Sequence, residues 1–256
     1  MATAMVGNGT ERVAPLASWQ KQTLTACRWP ENEGRLWKKG SHASTERMQD
    51  LAQIRQALEE NRFQLLAQPI CSLRTGETVA HELLLRLLDS QGTLITPEFF
   101  LPNAERFGLI HLIDRWVVHR AIQMSQAFRR AGQPRVLSVN LSGRGITDRG
   151  LVSLIRSQLT ATRTPPGDLI FEITETSTIP DLNLASQIAA EIQQIGCQIA
   201  LDDFGSGYSS FQWLKHLPID IMKIDGSLIR GLLSNPVDRA LVRAAVKLPA
   251  AGGLKG

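Results

Sequence analysis

The chain has 256 residues, is 43% hydrophobic and 20% charged, and carries a formal net charge of +4. That size allows one large domain or two small ones. Neither the part before residue 60 nor the part after it is basic enough for a nucleic-acid-binding face, so DNA and RNA polymers are not expected partners. There is no run of about 18 apolar residues to cross a membrane. The N-terminal "MATAMVGNGTERVAP" lacks the apolar core of a signal peptide. Cys27, Cys71 and Cys197 are odd in number and far apart, which reads as reduced thiols in a cytoplasmic protein.

Residues 1–43 show no periodicity. Trp19, Trp29 and Trp37 lie there among Gly, Lys and Asn, and the segment reads either as a loosely ordered leader or as a piece of an upstream domain. From Ser44, the residues Met48, Leu51, Ile54 and Leu58 recur at helical spacing, which predicts a connector helix over 44–61. A domain of alternating elements then fills 62–256. "RFQLLAQPI" reads as a strand ending at Pro69, and "TVAHELLLRLL" as a second apolar run interrupted by Glu82 and Arg86. A helical region follows "TPEFF", with Thr96 as N-cap and Pro97 at the first helical position. Strand "RVLSVNLS", helix "RGLVSLIRSQLTAT" and strand "DLIFEITE" come next. Helix "NLASQIAAEIQQIG" is stopped by Gly196. Strand "CQIALDDFG", the helical turn "SSFQWLKHLP" and strand "IDIMKIDG" complete the series. Strands alternating with helices, with nearly continuous apolar strand cores, predict a parallel sheet buried on both faces.

The polar residues of these strands fall near their C-terminal ends: Glu82, Asn140, Glu172 with Glu175 three residues on, Asp202 and Asp203, Lys223 and Asp225. In a (β/α) barrel those ends converge on one mouth, where active sites are built. Four carboxylates and an amide oxygen gathered there would repel unless cations neutralise them. An all-oxygen donor set favours Mg²⁺ or Mn²⁺ over Zn²⁺. Such ions suit phosphate chemistry, and two of them can clamp attacking and leaving oxygens. Paired aspartates at a strand end fit that task, and the glycines at 205 and 207 leave the following loop free to move over the site.

From about Arg62 to residue 247 the chain resembles the EAL domain family, the cyclic di-GMP-specific phosphodiesterases. The matching pieces are "AQPICSLRTGETVAHELLLR", "TPEFFLPNAERFGLI", "LSVNLS", "FEITET" and "IALDDFGSGYSSFQWLKHLPIDIMKID". The signature tripeptide reads Glu82-Leu83-Leu84, its middle residue, which carries no ligand atom, departing from the family's. The resemblance implies an α/β fold, a TIM-like barrel of the EAL type, and hydrolysis of cyclic di-GMP to linear pGpG in bacterial second-messenger signalling. It implies Glu82, Asn140, Glu172 and Asp202 as metal ligands, with Asp203 holding a second ion. Lys223 would orient or activate the attacking water. Arg86 would contact a substrate phosphate, Gln68 and Leu84 would line the dinucleotide site, and Asp225 is grouped with these substrate contacts. Glu175 would anchor the "DFGSGYSS" loop, which in the family couples metal binding to dimerisation, so a homodimer through that loop is expected. Two other readings compete: a surface Arg86 paired with Asp89, and a Glu175 that only caps the next loop. Trp213 and Phe211 read as core packing.

The resemblance also predicts a departure. Family members continue into an "AEGVE"-type strand and a last β/α unit, whereas this sequence runs "ALVRAAVKLPAAGGLKG", with Pro249 expected to break its helix. The barrel is therefore expected to be incomplete at its C-terminal end, lacking the distal catalytic Glu segment. Hydrolysis is expected to be impaired, or replaced by binding of cyclic di-GMP or a protein partner alone. The helix ending "LEENRF" resembles the connector that follows a sensor or GGDEF domain in larger signalling proteins.

Overall fold

In the computed structural model, residues 4–6, 44–89, 91–206 and 210–251 are described, with side chains over 52–89, 91–206 and 213–247. In chain order the elements are β1 (Ala4–Val6), α1 (Ser44–Glu59), β2 (Phe63–Cys71), β3 (Thr78–Leu88), β4 (Leu94–Ile95), α2 (Pro97–Arg106), α3 (Ile110–Arg130), β5 (Leu137–Leu141), α4 (Arg149–Thr162), β6 (Leu169–Thr174), α5 (Leu182–Ile195), β7 (Gln198–Phe204), α6 (Ser210–His216), β8 (Ile221–Ile224), α7 (Gly226–Gly231) and α8 (Pro236–Ala251). The strands form one sheet in the order β1-β8-β7-β6-β5-β3-β2, with β4 beside β3. The five central strands, β3 and β5 to β8, are parallel, as the continuous apolar runs predict. The sheet's two ends differ from that expectation: β2 pairs antiparallel with β3, and β1 antiparallel with β8. The molecule is thus an α/β protein of the TIM-like kind whose first full strand runs against the rest.

Alternation along each strand divides the sheet into two faces. Leu137, Val139, Leu141, Leu169, Phe171, Ile173, Ile199 and Leu201 face the helices and are buried. They meet Ile113, Val117 and Ile122 of α3, Leu151 and Ile155 of α4, and Ile188 and Ile192 of α5 in one apolar cluster. Each such aliphatic side chain contributes about 1.5–3 kcal/mol by leaving water. The opposite face carries a smaller apolar group, Ile170, Ala200 and Ile221. Above it on the same face, toward the strand C-termini, stand the polar residues.

The helix boundaries have local causes. Asp148 caps α4, accepting from Gly150 N at 2.8 Å, while Arg115 holds its carboxylate by two hydrogen bonds. Asp181 caps α5 through Leu184 N at 3.0 Å, and Gly196 ends that helix at φ +105°, as its position predicts. Thr96 does sit at the N-cap of α2, but its hydroxyl donates to Glu98 instead of capping the backbone.

Three expectations are corrected. The first strand continues through Pro69 to Cys71. The His81 amide opposite Pro69 points to Val136 O on the β5 side, so Pro69 sits in a non-hydrogen-bonded pair and its missing N–H lies on the outer edge, where it costs nothing. Pro249 does not break its helix, because α8 runs to Ala251. The missing N–H forfeits one i→i−4 bond, and only two residues follow it in the helix. Finally, the outer edge of β8 is paired: Ala4, Met5 and Val6 lie opposite Ile224, Lys223 and Met222, so the leader contributes a strand. The tryptophans and Cys27 of the leader lie outside the described residues, as do Gly207, Tyr208 and Ser209 of the loop after Asp203 and the side chain of Phe211. Trp213 is buried in the core.

Candidate active site

Glu82, Asn140, Glu172 and Asp202 come together because register and alternation agree. Neighbouring parallel strands place Ser138 beside Glu82, Glu172 beside Asn140, and Asp202 beside Thr174. Residues side by side in register share a face, so all of these project away from the helices.

At the centre of the group is Lys223. Its Nζ lies 2.6 Å from Glu172 Oε2, 3.1 Å from Asp202 Oδ2 and 3.2 Å from Glu82 Oε2, and it is 1% exposed. Asn140 Nδ2 donates to the other Glu82 oxygen at 3.1 Å. One ammonium thus faces three carboxylates. Burial alone would push Lys223 toward the neutral amine, but Glu172, Asp202 and Glu82 outweigh it and hold its pKa above the ordinary lysine value. Glu172 is pushed toward its neutral form: burial drives its carboxyl up to about 7, against the pull of Lys223 and with the repulsion of Glu82 and Asp202. The ligand oxygens of Glu82, Glu172 and Asp202 all lie within 4.8 Å of one another. Negative charge in excess of the single ammonium, carried entirely on oxygen, is the donor set that a hard divalent cation takes.

The adjacency of Asp202 and Asp203 has a structural cause. Leu201 pairs with Met222 and Phe204 with Ile224, with a shift of register between. Two aspartates on β7 therefore oppose the single residue Lys223 on β8, which is a β-bulge. Asp203 adopts φ +56°, a left-handed conformation that Asp tolerates better than most residues, and its amide donates to Asp202 Oδ1 at 2.9 Å. The bulge lets both carboxylates approach one mouth, which a regular strand would forbid. Asp203 is half-buried, and its pKa is raised by burial first and by Asp202 second.

The remaining predicted residues surround this group. Gln68 lies opposite Glu82, and Glu82, Leu84 and Arg86 alternate along one face of β3, so all four share the site's face. Arg86 is buried, its Nη1 donating to Leu85 O at 2.7 Å. Asp89 instead closes a turn, accepting from Gln91 N and Thr93 N at 2.8 Å each, so the surface reading of Arg86 is not what the structure has. Glu175 is buried and accepts from Gly205 N at 2.9 Å. Gly205 sits at φ +93°, where an added Cβ would lie 2.4 Å from Leu228 Cδ1, so this anchor point of the loop requires glycine. Asp225 caps α7 through Ser227 N at 2.7 Å, and its pKa is held low chiefly by the Ser227 hydroxyl.

Sequence reasoning missed Ser138. It is fully buried two residues before Asn140, and its hydroxyl donates to Glu172 Oε1. The signal was its period-two spacing from Asn140, but one serine in an apolar strand reads as filler.

With this geometry in hand, comparison with known proteins is specific. The EAL domain family profile matches residues 51–255. Over 195 residues the chain is 38% identical to cyclic di-GMP phosphodiesterase PdeF of Escherichia coli (strain K12), covering 76% of this chain and 26% of that protein. Over 204 residues it is 37% identical to the bifunctional diguanylate cyclase/cyclic di-GMP phosphodiesterase MucR of Pseudomonas aeruginosa, covering 79% of this chain and 30% of that one. The chain therefore spans about a quarter of the length of the curated relatives it matches. Among solved structures, the PaMucR phosphodiesterase in complex with c-di-GMP superposes with a TM-score of 0.72 at 37% identity, covering 81% of this chain and 84% of that one. The EAL domain of Xanthomonas citri FimX in complex with c-di-GMP gives 0.71 at 29% identity, covering 78% of each.

Proposed function

Because this chain belongs to the EAL domain family, we propose that it hydrolyses cyclic di-GMP, opening one phosphodiester bond to give linear pGpG. The observation that carries the reading is the oxygen-only group of Glu82, Glu172 and Asp202 gathered about Lys223. Glu82, Asn140, Glu172 and Asp202, with Asp203 for a second ion, would hold Mg²⁺ or Mn²⁺. When bound, such ions would supply Lewis-acid polarisation of the phosphodiester and a lowered pKa for water. The donor set fits that role, since a single ammonium leaves the carboxylates under-neutralised.

The chain's own residues supply the rest. Lys223, in contact with Glu82, Glu172 and Asp202, orients or activates the attacking water. Arg86 offers a planar guanidinium to a substrate phosphate. Gln68 and Leu84 line the guanine-bearing part of the cleft, and Asp225 adds an acceptor at its rim. Glu175 acts through the backbone, tethering Gly205 and so the start of the loop after Asp203. In this reading the segment after Asp203 is the homodimer contact, and α1 holds the place of the connector that precedes EAL domains in larger signalling proteins.

Turnover of cyclic di-GMP, followed by separating it from pGpG, tests this directly. Hydrolysis with Mg²⁺ or Mn²⁺ is expected, with none in EDTA. Asp202→Asn should abolish it, while Asp181→Asn, at the N-cap of α5 where an amide oxygen can still accept from Leu184 N, should leave it near wild type. Metal-independent binding of cyclic di-GMP without turnover under any of these conditions would replace the enzyme by a binding module.

A further inference from the structure

Glu172 is held at both oxygens. Oε2 accepts from Lys223 Nζ at 2.6 Å, and Oε1 accepts from the Ser138 hydroxyl. Ser138 and Glu172 are both 0% exposed, so no solvent competes for either contact. The two donors differ in what they can fix. Lys223 Nζ is shared among three carboxylates, and an ammonium is a nearly isotropic charge. By itself it attracts the Glu172 group without setting its rotation. The terminal torsion of a glutamate is broad and roughly two-fold, so a second, directional contact is needed to choose one orientation. A hydroxyl below the carboxylate supplies it without changing the net charge. Packing gives little reason for a serine here: its neighbour in register on the same face is the buried Ile170 of β6, and a buried hydroxyl is costly unless bonded.

We propose that Ser138 is a positioning residue for the reaction: its hydroxyl fixes the rotation of the Glu172 carboxylate, and so determines which oxygen Glu172 presents to the Lys223 side of the acidic group and to a divalent cation there. This deepens the phosphodiesterase reading and rests on it.

The test is Mn²⁺ binding, read by the electron paramagnetic resonance signal of free Mn²⁺, on wild type, Ser138→Ala and Ser138→Thr, with melting of the metal-free proteins beside it. Loss of a group that orients a metal ligand typically weakens metal affinity about 10- to 100-fold. Ser138→Ala should show a loss in that range and a lower kcat, with KM for cyclic di-GMP near wild type. Ser138→Thr, which keeps the hydroxyl, should restore both. Should the alanine variant fail to fold, Ser138→Cys, with a weaker donor of similar size, takes its place. A folded variant that lacks the hydroxyl yet binds Mn²⁺ like wild type overturns the proposal, and so does a threonine variant no better than alanine. Wild type that binds no Mn²⁺ is a different failure, that of the phosphodiesterase reading itself.

Discussion

Lys223 shows how much one side chain can hold. It is almost wholly buried and balances Glu82, Glu172 and Asp202. Lys223→Met should abolish turnover and destabilise the metal-free protein by roughly 3–5 kcal/mol at neutral pH, the usual cost of breaking a buried ionic group. The gap to wild type should narrow as pH falls. Glu172 already has a folded-state pKa near 7, above its ordinary value of 4.5. Its protonated form is therefore favoured by folding, and without the lysine its pKa rises further. Stability from this group is full below about 4.5 and is lost as pH rises through 7 and beyond. Thermal melts of both proteins at pH 5 and pH 8, without metal, check this; a gap that does not change with pH would count against it. At this scale the sequence was informative where charge interrupts an apolar strand, as at Glu82, Glu172 and Lys223. It was silent at Ser138, whose role depends on the residue across the next strand.

At the scale of elements, the loop after β5 is fixed by a carboxylate from α3. Asp114 is buried and accepts from Ser142 N at 3.2 Å and Ser142 Oγ at 2.5 Å. Gly145 passes so close that a Cβ there would lie 2.3 Å from Asp114 Oδ2. Burial pushes the Asp114 carboxyl up to about 7. The folded state thus takes up a proton that the unfolded chain releases near 3.8, and wild-type stability should fall as pH rises from 4 to 7 by a few kcal/mol on this account. Asp114→Asn, of the same shape and uncharged, should flatten that slope in denaturant titrations at pH 4.5, 5.5 and 7; an unchanged slope would show that the titration lies elsewhere. Element types were readable from periodicity and caps, as Asp181 and Gly196 illustrate for α5. The bulge was not, although its sign was present: two consecutive aspartates cannot both face one way on a regular strand. Nor was the antiparallel sense of β2, because an apolar run reads the same in either direction.

Over the whole molecule, the least legible contact is β1 on β8, where three residues with no pattern of their own find an edge almost the full chain away. Removing residues 1–6, and with them β1, should make the β8 amides that face it exchange with solvent about tenfold faster or more, since edge protection is local. Exchange as slow as in wild type would mean that other contacts protect β8. The same geometry bears on the order in which the chain folds. Lys223 meets Glu82 across 141 residues, and contacts of such separation form late. Until β8 docks, β3, β6 and β7 bring their acids to one mouth with no ammonium among them. Docking of β8 is then a charge-neutralising step as well as a topological one. The acids assembled before it attract Lys223, an attraction that added salt screens and acid removes, so the rate at which this chain becomes native depends on the ionic conditions in which it is made.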